Sequence, residues 1–346
     1  MSIKKELCGV LSGGEEIYRY TLQNTNGMRV CVLNFGGAIQ QLWVPDKNGR
    51  LADIVCGFDK AEYYQLAGGQ QGSLVGRFCN RIANGRFVLD GREHQLACNS
   101  GAHHLHGGTV GFHKRIWRVT PLEDENALSL EYLSPDGEEG YPGTLRVTVT
   151  YTLTDENALR LHYSAVTDQK TVVNLTNHAY FNLAGFDGGN VLSHLLWVDA
   201  DRYLPVTDTL VPTGEIASVR GTPFDFLEAK PLGRDFSLLS RGYDQCLVFA
   251  DRGERAFLHR VTLYHPQSGR EMKVYTDQPA MQLYTGNYLA EDPYPFKNGV
   301  PQLRFGAVCP ETQKMPDSPN HPNFSNAVLC AAEVYDYTTE YRFSVK

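Results

Sequence analysis

The chain has no CxxC pair, no apolar run long enough to span a bilayer, and no cluster of lysines and arginines. The first absence argues against a zinc ribbon or a thioredoxin-type redox pair. Its 8 cysteines lie scattered, at Cys8, Cys31, Cys56, Cys79, Cys98, Cys246, Cys309 and Cys330, and are expected to be reduced thiols. The second absence argues against a transmembrane helix. The opening MSIKKELCGVLSGGEE also lacks the apolar segment of a secretory signal, so the expected location is cytoplasmic. The third, together with a net charge of −7, argues against nucleic acid or an anionic membrane as partner, since either needs a basic stripe. Also missing are a GxGxxG dinucleotide loop, an HExxH metal motif and any fixed-period repeat. Helical periodicity is scarce, with Lys60–Leu66 ahead of Gly68 and Gly69 as one of few short candidates.

Two-residue alternation of β-branched and aromatic residues fills the space instead, which predicts strands. Strand candidates are Arg29–Phe35, Ala38–Val44, Leu195–Ala200, Tyr203–Val206 and Leu247–Ala250. The clearest hairpin joins Leu145–Leu153 to Ala158–Val166, with Val147, Val149 and Tyr151 on one face and Arg146, Thr148 and Thr150 on the other. One face therefore packs on a core. A second hairpin joins Leu258–His265 to Glu271–Thr276. At 346 residues, 42% hydrophobic and 21% charged, the chain has the composition of a soluble globular protein, and no stretch reads as a linker.

The densest chemistry lies in Asn174–Leu183, where amides and an imidazole interrupt an apolar run. Buried polar groups of this kind need partners. His178 reads either as a satisfied core histidine or as a proton-transfer group at the floor of a polar pocket. Alternation sends Tyr180 to the face of His178 and Phe181 to the opposite face, toward the core. Upstream, Arg77, Arg81 and Arg86 crowd one loop, as a solvated turn or with at least one guanidinium aimed into a pocket. His103, His104 and His106 form the densest histidine cluster, and in an extended strand His104 and His106 would share a face. A hydrogen-bonding role suits His106 better than metal ligation. His103 and His104 are expected to be structural or exposed. Gln282 and Tyr284 share one strand face, and Glu311 precedes a proline-punctuated loop as the late carboxylate to pair with His178.

Taken together, Gly76–Ile82, Leu105–Gly108, Asn174–Leu183, Gly242–Asp244, Gln282–Asn287 and Glu311–Pro322 resemble the aldose 1-epimerase family, in order and across nearly the whole chain. The resemblance implies an all-β protein, one large antiparallel β-sandwich domain over residues 1–346, with few short helices. It also implies a cleft for a monosaccharide and no metal or organic cofactor. By motif position, His178 would be the general acid and Glu311 the general base. Asn80, Arg81, His106, Asp244 and Gln282 would hold sugar oxygens. Cys79 departs from the family, which often has alanine there, but one small residue replaces another. The implied reaction interconverts the α and β anomers of a free aldohexose such as galactose or glucose by ring opening and reclosure. It needs Glu311 ionised and His178 protonated, and a neighbouring carboxylate would favour that imidazolium. A hexose-phosphate epimerase or a non-catalytic sugar-binding domain of the same fold is the alternative, and a second cation beside Arg81 would favour the former. A glycosidase built on Asp244 and Glu311 is a more distant rival.

Overall fold

The computed structural model describes residues 3–253 and 255–346. Antiparallel strands dominate, and the architecture is an all-β sandwich. The first five strands, Lys4–Val10, Glu16–Gln23, Arg29–Leu33, Ile39–Pro45 and Leu51–Asp53, form a meander in sequence order. The one α-helix among the described residues, Ala61–Leu66, follows it. Among the described residues no helix is long and apolar enough to cross a membrane.

A nine-stranded sheet carries the predicted hairpins. Its order is Arg118–Leu122, Ala127–Ser134, Leu145–Leu153, Ala158–Thr167, Tyr335–Val345, Arg270–Thr276, Leu258–Tyr264, Leu195–Val198 and Lys230–Pro231. Along Leu145–Leu153 the buried side chains are Leu145, Val147, Val149, Tyr151 and Leu153, while Arg146 is exposed, as alternation requires. They share one core with Val32 and Leu42 of the meander and Leu247 and Met281 of a third sheet. Each such side chain contributes roughly 1.5–3 kcal/mol by leaving water.

The third sheet positions the site. Its order is Ala217–Ser218, Ala200–Tyr203, Asp244–Phe249, Ala280–Tyr284 and Cys309–Gln313. Three expectations change here, the first being the strand expected over Tyr203–Val206, which runs instead over Ala200–Tyr203. The run Leu195–Ala200 is not one strand, because the chain leaves the nine-stranded sheet after Val198 and joins the third sheet at Ala200. Asp199 marks the switch, held by Arg260 Nη1 at 2.7 Å on Asp199 Oδ2. The strand expected over Leu247–Ala250 runs instead from Asp244 to Phe249, its first residue, Asp244, facing a cavity rather than the core.

Lys297 ties the meander to the later loops. Its buried ammonium donates to Asp53 Oδ2 at 2.6 Å, Val55 O at 2.7 Å and Gln40 O at 2.8 Å. Removing one partner of such a pair strands the other charge in a low-dielectric interior. Lys297→Met is therefore expected to lower unfolding stability by about 3–5 kcal/mol, measured by urea denaturation. A loss below ~1 kcal/mol would show that the pair does not hold these segments together.

Candidate active site

Three adjacent strands build one wall of a cavity of about 540 Å³. Register sets Cys246, Gln282 and Glu311 opposite one another across Asp244–Phe249, Ala280–Tyr284 and Cys309–Gln313. Met281 and Leu283 point into the core, so Gln282 and Tyr284 take the other face. Asp244, two residues before Cys246, lies on that face as well, and its Oδ1 accepts from Gln282 Nε2 at 2.7 Å. Glu311 lines the same cavity, almost fully buried.

The facing wall is the polar stretch, which separates into pins and a working group. Asn174 exchanges two hydrogen bonds with the backbone of Lys314, Nδ2 to its O at 3.1 Å and Oδ1 from its N–H at 2.9 Å. Thr176 Oγ1 donates to Thr312 O at 2.8 Å, and Asn177 Nδ2 to Gly72 O at 2.7 Å. Asn182 Nδ2 donates to Gly189 O and Gly306 O. The His178 backbone continues this ladder, its N–H on Ser73 O and its O accepting from Gly72. Gly72 has φ +73° and a Cβ there would stand 2.3 Å from Ile39 O, so the junction of meander and stretch requires glycine. The His178 imidazole and the Tyr180 ring are left to the cavity. Tyr180 stacks on the imidazole at 4.8 Å between ring centroids, while Phe181 enters the main core against Tyr341.

Asn80, Arg81 and His106 close the third side. The strands Arg81–Ile82 and His104–Leu105 pair, and His106 then turns out of the ladder at φ +53°, as Asn80 does at φ +64°. His106 N–H donates to Asn80 O, and Asn80 N–H donates to His106 Nδ1 at 3.2 Å. The positive φ explains why His106 and His104 do not share a face. His106 lines the cavity, whereas His104 is buried against Ala97 O and the Tyr141 hydroxyl. His103 caps Asn84 N–H with its Nδ1. Of the three loop arginines, only Arg81 lines the cavity. Arg77 spends its guanidinium on Ser134, Pro135 and Pro142, and Arg86 is exposed beside Glu93. The Glu311 loop is anchored to the same segment, since Asp317 N–H donates to Arg81 O and Asp317 Oδ1 accepts from Ala83 N–H.

His178 Nε2 stands 3.4 Å from Glu311 Oε1, with both side chains almost free of solvent. His178 Nδ1 and Glu311 Oε2 are buried without a hydrogen-bond partner. Burial lowers the His178 pKa to about 4. Burial, then repulsion from Asp244, raises that of Glu311 well above the carboxylate range, against the pull of Arg81. Burial thus outweighs the neighbouring carboxylates that were expected to favour an imidazolium, and it favours the reverse of the expected ionised glutamate and protonated histidine. The two forms hold the same number of protons and differ in where one of them sits.

Ligand-type atoms of His106, His178 and Glu311 all lie within 4.8 Å of one another, which invites a metal. The tautomer of His106 does not suit one. Its Nδ1 lone pair accepts the Asn80 N–H, which places the ring proton on Nε2 and leaves no lone pair for an ion. As a donor, the same ring suits a hydroxyl oxygen. Several lining residues carried no sequence signal, among them Gln71, Tyr288, Glu291, Asp292 and Gln302. They sit in loops, where no alternation marks a face.

A family model described as aldose 1-epimerase matches residues 18–342. Galactose mutarotase of Homo sapiens is 43% identical over 348 residues, covering 99% of each chain. Aldose 1-epimerase of Haemophilus influenzae is 39% identical, over 93% of this chain and 94% of its own. Among solved structures, an aldose epimerase homologue from C. elegans superposes with a TM-score of 0.88 at 33% identity, covering 94% of this chain and 98% of that one.

Burial disfavours the charged form of His178. Its imidazole is expected to titrate near pH 4, followed by nitrogen-15 NMR of labelled histidine; a midpoint at the ordinary histidine value, ~6.5, would show that burial does not control it.

Proposed function

The chain belongs to the aldose 1-epimerase family, and from that premise we propose how its pocket interconverts the α and β anomers of a free aldohexose such as galactose or glucose. Glu311 takes the proton of the C1 hydroxyl while His178 gives a proton to the ring oxygen, and the C1–O5 bond breaks to leave an aldehyde. Rotation about C1–C2 presents the other face. Reclosure returns the proton from Glu311 to the new C1 oxygen and the ring-oxygen proton to His178, so the enzyme is restored. The observation that carries this reading is the 3.4 Å approach of His178 Nε2 and Glu311 Oε1 in a buried site. A pair holding one mobile proton can supply an acid and a base together, and the two interchange roles in the reverse direction.

The remaining groups bind. His106 donates to a sugar oxygen through Nε2. Arg81 and Asn80, whose Nδ2 has no partner among the described residues, donate beside it. Asp244 accepts, oriented by Gln282, whose own Oε1 is left to accept a second hydroxyl. Arg81 is the one cation of the described lining, which also holds the carboxylates Asp244, Glu291, Asp292 and Glu311. That balance favours a neutral sugar over a hexose phosphate, whose dianion would need a second cation. We read residues 1–346 as one domain, supported by a main core that runs from Tyr20 to Phe343.

Positioned acids and bases each contribute roughly 10²–10⁴-fold to rate. Glu311→Gln and His178→Asn are each expected to lose about that factor in anomer interconversion, followed by polarimetry of fresh α-anomer, with the fold intact. Wild-type rates in either would remove the assignment. Arg81→Ala should raise KM more than it lowers kcat. In wild type, kcat/KM should trace a bell. It falls on the acid side as His178 gains a second proton for the pair near pH 4, and on the alkaline side as the raised Glu311 loses the shared one.

A further inference from the structure

The cavity is larger than the group of residues that would act on C1, and its outer wall is built from a different part of the chain. That wall joins the segment after the helix, Gly68–Gln71, to the loop between Ala280–Tyr284 and Cys309–Gln313. Asp292 holds the two together, Oδ2 accepting from Gly68 N–H at 2.9 Å and Oδ1 from Tyr294 N–H at 3.0 Å. Tyr294 packs its ring on Tyr63 at 4.8 Å. Gln302 spends Nε2 on Tyr294 O at 2.8 Å, which fixes its amide and leaves Oε1 buried with no partner. Gln71, 2% exposed, likewise buries an unpartnered Oε1 at the cavity. At the rim Tyr288 is 42% exposed and lies nearly parallel to Tyr284 at 6.5 Å, and Tyr284 in turn packs edge-on against His178 at 6.0 Å.

Two buried amide carbonyls without donors are costly unless something supplies hydrogens to them. Gln302 is held as an acceptor by its other contact, Gln71 keeps an amide with no partner among the described residues, and the neighbouring carboxylates of Glu291 and Asp292 accept, so the occupant brings donors. An exposed tyrosine beside them offers a flat apolar face with a polar tip. We propose that Gln71, Gln302 and Tyr288 form an outer subsite that takes a hydroxyl-bearing group of the substrate remote from C1, and that they set which aldoses are processed. This rests on the epimerase reading of the pocket. The group has two chemical sources, the hydroxymethyl at C6 of a hexose or the second ring of a reducing disaccharide, and both present hydroxyl donors.

The test uses D-xylose, D-glucose and cellobiose, which share the configuration of the reacting ring and differ by the hydroxymethyl group and then by a second ring. Anomerisation kcat/KM is measured by polarimetry for wild type, Gln71→Met, Gln302→Met and Tyr288→Ala. Loss of a neutral hydrogen bond is expected to lower the ratio for the larger sugar about two- to tenfold. A drop in cellobiose over glucose assigns the subsite to the second ring. A drop in glucose over xylose assigns it to the hydroxymethyl. Ratios unchanged in all three variants would overturn the proposal. Should a buried glutamine variant fail to fold, Tyr288→Ala at the exposed rim decides alone. A wild-type protein that speeds none of the three sugars fails at an earlier point, in the epimerase reading itself.

Discussion

The pocket is organised around a histidine and a glutamate whose side chains meet out of reach of water. His178 and Glu311 come from segments 133 positions apart by their numbers, 311 less 178, and meet at 3.4 Å. Burial favours the uncharged form of each, lowering the pKa of His178 and raising that of Glu311. In the proposed reaction a bound sugar offers a hydroxyl to Glu311 and a ring oxygen to His178. Low dielectric then strengthens each of those contacts, because no solvent competes for them.

Holding such a pair in place requires backbone precision, and the surrounding polar side chains supply it. Asn174 clasps Lys314, Thr176 bonds Thr312, and Asp317 bonds the Arg81 segment, so each working residue sits within a few positions of a side-chain-to-backbone tie. The ties cross between walls of the cavity. A motif such as Asn174–Leu183 thus contains mostly carpentry, with one imidazole that does chemistry. Asn80 and His106 show the same division in another form, since each bonds the other's backbone in a left-handed turn that alternation would not produce.

Much of this was legible from residue order, and the limits are physical. Alternation located the hairpins and sent Phe181 to the core and Tyr180 to the histidine face, because period-two patterns survive wherever one face is buried. It failed at Leu195–Ala200, where one apolar run serves two sheets, and at Asp244, where strand residues facing a polar cavity look like loop. It failed at His106, since a positive φ breaks the phase. The motifs brought Asn80, Arg81, His106, His178, Asp244, Gln282 and Glu311 to attention, and all seven line one cavity. Gln71, Tyr288 and Gln302 stayed invisible, because a loop glutamine or tyrosine shows its burial and its missing partner only in three dimensions. The direction in which burial pushes His178 and Glu311 was invisible for the same reason, since desolvation depends on what surrounds a group.

The central claim is that His178 and Glu311 act as one unit through a shared proton. A double-mutant cycle tests it most directly, comparing anomerisation rates of His178→Asn, Glu311→Gln and the combined variant by polarimetry. Residues that work as a unit are strongly non-additive. The account predicts that the double variant is scarcely slower than the slower single variant. Losses that multiply would contradict it and make the two side chains independent contributors.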